Sequence, residues 1–194
     1  SIDGAGWANI TNSTTYAWNT SAYNDGTHTL QVRNNDSVGN TGLSSTVSVI
    51  VDNTRPAVVI ISPLSNTTIK GNVTVLTSTN PDTARLDFYV DNNTGLGWAL
   101  RRSDTNRADG WDFAWDTALD CATTAECTGV RLRVNSTDSA NLTSNFTVSG
   151  LEIDNTAPTV TLLYPPSSAT IRGIIIASAT SSSDTTRVVF EYSP

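Results

Sequence analysis

Residues 28–71, HTLQVRNNDSVGNTGLSSTVSVIVDNTRPAVVIISPLSNTTIKG, return 102 positions later as residues 130–173, VRLRVNSTDSANLTSNFTVSGLEIDNTAPTVTLLYPPSSATIRG, without a gap. Leu30 and Val32 fall on Leu132 and Val134, and Asp36-Ser37 falls on Asp138-Ser139. Asp52-Asn53-Thr54 falls on Asp154-Asn155-Thr156, and Pro56 on Pro158. The match runs on through Gly71/Gly173 and Arg85/Arg187 to Phe88/Phe190. Similarity at a fixed period marks tandem copies of one structural unit.

The unit reads as all-β. Segments 57–62, 69–79, 85–91, 111–116, 129–135 and 146–153 are short, rich in Val, Ile, Thr and aromatics, and separated by Asn, Asp, Gly and Pro. Val47, Val49 and Val51 alternate with Thr46, Ser48 and Ile50, the period of a half-buried strand. Roughly seven short strands in about 100 residues is the rhythm of an immunoglobulin-like sandwich.

The phrase YNDGTHTLQVRNNDSVGN (23–40), followed by VDNTRPAVVIISP (51–63), resembles the tandem Ig-like or fibronectin-III-like repeats of bacterial and archaeal surface proteins. In those repeats a strand F of the type DGxYxLxVxAxDxxGN leads through strand G into a VDNTxP linker. The resemblance covers nearly the whole chain and implies sandwiches in series; it implies no particular ligand. Two positions depart from the pattern. His28 stands where an aromatic is usual, and Asn141-Leu142 replaces the Gly-Asn of the F–G turn.

Because Asn53-Thr54 and Asn155-Thr156 end one unit and lead into the next, the borders predict three pieces. Residues 1–54 are the C-terminal half of an Ig-like domain, 55–155 a complete domain, and 156–194 the N-terminal half of another. GAGWANI (4–10) matches GLGWALR (95–101), and YAWNT (16–20) matches FAWDT (113–117), pairing Trp7 with Trp98 and Trp18 with Trp115. The complete domain then carries two inserts, one near RRSDTNRADG (101–110) and one holding the cysteines. From Phe88 to Trp98 is ten positions; from Phe190 through Pro194 and on from Ser1 to Trp7 is eleven. The two halves therefore complement each other to within one residue. They can be completed by another copy, by covalent continuation of a longer tandem chain, or by closure within one chain. Strands A and G leave a sandwich from opposite poles, roughly 33 Å apart for ten residues, which disfavours self-closure.

Composition narrows the setting. Charged residues are 15% of the chain and the formal charge is −7, with one lysine, Lys70. No basic stripe with interleaved aromatics suggests nucleic acid. No apolar run approaches the roughly 18–20 residues of a membrane span. The chain starts at Ser1 and contains no Met, which reads as a processed mature chain or an internal piece of a longer one.

Cys121 and Cys127 in DCATTAEC (120–127) make no zinc set, because the only histidine, His28, is distant in sequence. They read as a local disulfide stapling an insertion, contributing about 2 kcal/mol and implying an oxidising compartment. Sequons begin at Asn9, Asn12, Asn19, Asn35, Asn66, Asn72, Asn92, Asn135, Asn141 and Asn145, a density that suits an extracellular, N-glycosylated surface protein. Asp36, Asp52, Asp138 and Asp154 recur at F–G turns and linkers, where oxygen-rich loops suit structural calcium; Asp is also common in turns because it bonds nearby backbone.

Catalytic residues are not expected. His28 lies inside a strand pattern with no nucleophile motif around it. In DGWDFAWD (109–116), Asp112 and Asp116 share one strand face and Trp111 and Trp115 the other; core packing is the ordinary role of such tryptophans, a carbohydrate-binding face the sharper one. An isopeptide crosslink at Lys70 is not a property of the repeat, because Arg172 stands at the equivalent position. The expected function is structural: an extracellular repeat subunit assembling head to tail with itself into a cell-surface filament or layer, residues 156–194 and 1–54 completing one sandwich. The alternative is an adhesin stalk or carbohydrate-binding accessory module of a larger secreted protein.

Overall fold

The computed structural model describes residues 1–7, 13–121 and 126–192 and is built almost wholly of strands. In the N-terminal segment β1 (Gly26–Leu30) pairs antiparallel with β4 (Val47–Val51), and β2 (Arg33–Asn35) with β3 (Thr41–Leu43), as two stretches of one bent hairpin. At the bend the Val32 amide donates to Ser44 Oγ instead of to a strand neighbour. The valine alternation holds at the linker end of β4, where Val49 is half-buried and Val51 buried while Ser48 and Ile50 face solvent.

The central sandwich contains β5 (Val58–Ser62), β6 (Thr68–Ile69), β7 (Asn72–Thr79), β8 (Arg85–Asp91), β9 (Ala99–Asp104), β10 (Phe113–Asp116), β11 (Glu126–Thr137) and β12 (Thr143–Asp154). One sheet has the order β10-β7-β5 and the other β6-β12-β11-β8-β9. The first strand of the domain serves both sheets. β5 pairs antiparallel with β7, and after Pro63, which has no N–H to donate, β6 pairs parallel with β12. The core lies between the sheets. Val75, Leu86, Phe88, Trp115, Leu132 and Val134 are at most 1% exposed, and burial of each aromatic among them contributes about 2–3 kcal/mol.

The C-terminal segment has one hairpin, β13 (Val160–Tyr164) antiparallel to β14 (Ser178–Ser181). Its strands correspond to β5 and β7, but their inward side is uncovered. Val58 and Ile60 are 7% and 5% exposed, whereas their counterparts Val160 and Leu162 are 63% and 56%.

Two expectations change in detail. The segment read as an insert near residues 101–110 begins inside a true strand, β9, which pairs with β8 and extends the larger sheet. It escaped notice because ALRRSD carries charge on both faces: it is an edge strand, and only Asp104 of the six is buried. The cysteine loop is also no mere appendage. Cys121 is 2% exposed within the core cluster, and Cys127 lies in β11 and packs against that cluster.

Candidate functional site

The linkers show why Asp-Asn-Thr recurs. Asp154 Oδ1 accepts from the Thr156 amide, and Asp52 Oδ1 accepts from Thr54 in the same way, so each Asp closes a local turn. The Asn between reaches back into its own domain. Asn155 Oδ1 accepts from the Gly71 amide at 2.7 Å, and its Nδ2 donates to Thr117 Oγ1. Asn53 Nδ2 donates to the carbonyls of Thr20 and Tyr23, around the turn equivalent to that of Thr117. Each linker is thus pinned to the domain it leaves.

At the first linker three carboxylates converge. Asp52 from the linker, Asp82 from the β7–β8 connection and Asp138 from the β11–β12 turn have oxygens all within 4.8 Å of one another. Asp138 is 3% exposed; its Oδ1 accepts from the amides of Ala140 and Leu142, but its Oδ2 is buried without a hydrogen-bond partner. Asp82 Oδ2 is likewise buried and unpartnered. Burial, and then the charges of Asp52, Asp138 and Asp25, push the Asp82 carboxyl above its ordinary range.

The other buried carboxylates among the described residues each face an arginine. Asp87 pairs with Arg85 at 2.6 Å, Asp104 with Arg102 at 2.9 Å, Asp120 with Arg101 and Asp91 with Arg131. Among the described residues no such cation lies within ion-pair distance of Asp138.

The sequence placed Asp36 and Asp154 in the same class, and the structure does not bring them to this cluster. Asp36 is saturated by its own turn: the side-chain amide of Asn40, then the Asn40 and Val38 amides, bond its carboxylate and hold it below the ordinary range. The contrast lies in the F–G departure. Leu142 stands where Asn40 stands in the N-terminal copy and its side chain cannot donate, which leaves Asp138 Oδ2 free. Asn141 takes φ +65° where Gly39 takes +94°, a left-handed conformation that Asn tolerates better than most residues. Asp82 was missed because its loop, NPDT (80–83), reads as an ordinary turn; the offset of 102 also places an acid, Asp184, at the matching position.

The remaining candidates fall into place singly. Trp111 and Trp115 are 5% and 1% exposed, and Trp115 Nε1 donates to Asp120 Oδ2 at 2.6 Å, so neither offers a sugar-stacking face. Asp112 is half-buried, and Asp116 caps the turn after β10 by accepting from Ala118. Cys121 and Cys127 are disulfide-bonded. Lys70 is exposed. His28 fills the aromatic position of strand F with ring contacts to Trp18 and Tyr23 at 6.1 and 5.4 Å. Its Nδ1 meets Asp3 Oδ2 and its Nε2 the Asn24 carbonyl, and these two acceptors favour the imidazolium form.

Of the sequon asparagines, Asn19, Asn35, Asn66, Asn72, Asn141 and Asn145 are exposed, and Asn9 and Asn12 lie outside the described residues. Asn135 is half-buried, as is Asn92, whose Nδ2 donates to the Asp120 carbonyl. No helix among the described residues is long and apolar enough to cross a membrane.

Two sheets packed face to face, with linkers pinned at their ends and acidic loops at one pole, define an Ig-like module of a class that is typically non-catalytic. Residues 56–148 match the family model described as bacterial Ig domain. A solved structure of fibronectin(III)-like modules of Clostridium thermocellum CbhA is similar, with 18% identity and a TM-score of 0.39. The match covers 68% of this chain and 64% of that one, so the chain spans less than two thirds of that structure's length. No curated protein matches the sequence.

Proposed function

We propose that the protein is a structural, extracellular Ig-like repeat unit whose flanking halves are completed head to tail, residues 156–192 of one unit packing on residues 1–54 of the next. The observation that carries this reading is the exposure of positions whose equivalents are core. Phe88 is 0% exposed and Phe190 54%; Val134 is 0% and Val32 67%; Leu86 is 0% and Val188 42%. In the N-terminal half the uncovered face is a concavity of about 600 Å³ walled by Ile2, Trp7, Tyr16, Trp18, Leu30 and Val32. Large contiguous apolar surface of this kind marks an interaction site.

The backbone is as incomplete as the core. In the central domain β11 lies between β12 and β8; in the N-terminal half Ser1–Asp3 already hydrogen-bond Thr29–Gln31 on the far edge of β1, and it is β2, paired only with β3 among the described strands, whose other edge carries no strand. An open edge beside an apolar face takes up a strand by β-augmentation. The matching strand is residues 187–190, the equivalents of Arg85–Phe88, which in the central domain pair with the equivalents of Val32–Asn35. A donor at one end and an acceptor at the other make a heterologous contact that extends into a filament instead of closing. The same contact forms within a continuous tandem chain; the intact mass of the natural protein, 20.6 kDa for the unglycosylated 194-residue unit or far more, separates these two forms. The disulfide and the exposed sequons support an extracellular, glycosylated setting.

Val134 faces Phe88 across β11 and β8, and the same register in the completed sandwich would set Val32 opposite Phe190 of the adjoining unit. Facing residues of antiparallel strands have Cα atoms about 4.5–5.5 Å apart, within disulfide range. The double variant Val32→Cys/Phe190→Cys is expected to give a reducible ladder of oligomers under oxidising, denaturing electrophoresis. Monomers alone, with both thiols titratable, contradict the reading.

A further inference from the structure

We propose that Asp52, Asp82 and Asp138 form a calcium site that locks the first linker against the pole of the central sandwich. The three residues come from three separate loops, and their oxygens already lie within 4.8 Å of one another. Oxygen donors alone, all anionic, suit a hard cation; calcium takes six to eight oxygens and completes its shell with backbone carbonyls and water.

A cluster of acids in turns is common without a metal, and two observations separate this one. The Asp138 carboxylate is 3% exposed, and its Oδ2 has no hydrogen-bond partner. The other buried carboxylates of the described residues, Asp87, Asp91, Asp104 and Asp120, each have an arginine; at this pole no side-chain cation of the described residues stands within ion-pair distance. A buried carboxylate unpaired beside two further carboxylates is strongly unfavourable unless a cation neutralises it. The second observation is internal to the repeat. In the N-terminal copy Asn40 donates to Asp36 Oδ2 at 2.6 Å and closes that oxygen; in the central domain Leu142 leaves the equivalent oxygen open. The site is thus particular to this junction and lies entirely within one chain, so it does not depend on how the flanking halves are completed.

Calcium here has a mechanical consequence. Asp52 belongs to the linker leaving the N-terminal half, while Asp82 and Asp138 belong to the central domain. One ion ties the two together, converting a hinge restrained by Pro56 into a joint held by charge. Without the ion, repulsion among the three carboxylates favours an opened linker.

The test uses the full 194-residue chain freed of metal with EDTA and then titrated with CaCl2 by calorimetry, with thermal unfolding followed in parallel. One saturable site is expected, with a dissociation constant of roughly 10⁻⁴–10⁻³ M, the range of extracellular calcium modules. At tenfold excess over that constant, the unfolding midpoint of the central domain is expected to rise by about 5 °C. Asp82→Asn should weaken calcium binding about tenfold or more, while unfolding in EDTA at or above the wild-type temperature because a repelling charge is gone. Leu142→Asn, which restores the bond made by Asn40 in the other copy, should also weaken binding and leave the fold intact. Asp138→Asn is the wrong probe, since Oδ1 of that residue holds its own turn. Absence of heat and of any midpoint shift up to 10 mM calcium, or an unchanged calcium response in folded Asp82→Asn, overturns the proposal.

Discussion

Asn155 shows how much a single linker residue does. It bonds the residue before β7 through Gly71 and the turn after β10 through Thr117, so it ties the linker leaving the domain to both. Asn155→Ala removes both bonds and leaves the Gly71 amide without its acceptor. It is expected to destabilise the central domain by about 1–2 kcal/mol, read as a lower urea midpoint at unchanged slope. His28 carries a pH dependence. The Asn24 carbonyl and then Asp3 raise its pKa above the 6.5 of a free imidazole, while His28 and then the Thr29 amide lower that of Asp3 below 3.8. The contribution of His28 is therefore complete below pH 6.5 and is lost as pH rises through its folded pKa; that of Asp3 is present above pH 3.8 and is lost as pH falls through its own. Histidine-selective NMR titration should place the imidazole midpoint above 6.5; a midpoint at or below it contradicts the two-acceptor geometry. The DNT motif was legible because it recurs. Asp82 was not, because what distinguishes it from any turn aspartate is its spatial company, which no local pattern encodes.

Among the elements, strand period was the readable signal and edges were the unreadable part. Strands buried on one face announced themselves: 85–91 was found to the residue, and 129–135 and 146–153 proved to be the middles of β11 and β12. Ends lengthened because Glu126, Thr137 and Thr143 are polar and look like loop while pairing as strand. β9 was lost to its arginines, yet Arg101 and Arg102 are there to face Asp120 and Asp104. The disulfide also acts on elements, tethering the segment after β10 to the start of β11 across six positions. Its reduction is expected to lower the stability of the central domain by about 2 kcal/mol, and because Cys121 sits in the core, Cys121→Ala should cost more than reduction alone. Equal urea midpoints before and after reduction contradict this placement.

Over the 194 residues a sandwich is flanked by two segments that leave large apolar side chains exposed. Val160, Leu162, Val188 and Phe190 on one side, and Val32 with the wall around Trp7 on the other, are core residues of the repeat standing in solvent. The repeat points to these positions from sequence alone, since equivalence at an offset of 102 says which of them have buried counterparts in the central domain. It does not encode who supplies the cover, because an adjoining copy and a covalent continuation present the same side chains in the same register. The account's central claim, that the flanking halves complete each other between units, is tested most directly by sedimentation velocity of the purified 194-residue chain across a range of concentrations. Head-to-tail oligomers that lengthen with concentration, and that Phe190→Asp reduces to monomers with the central domain still folded, are the expected result. A chain that stays a monomer at every concentration while the amides of β13 and β14 resist hydrogen exchange would contradict it.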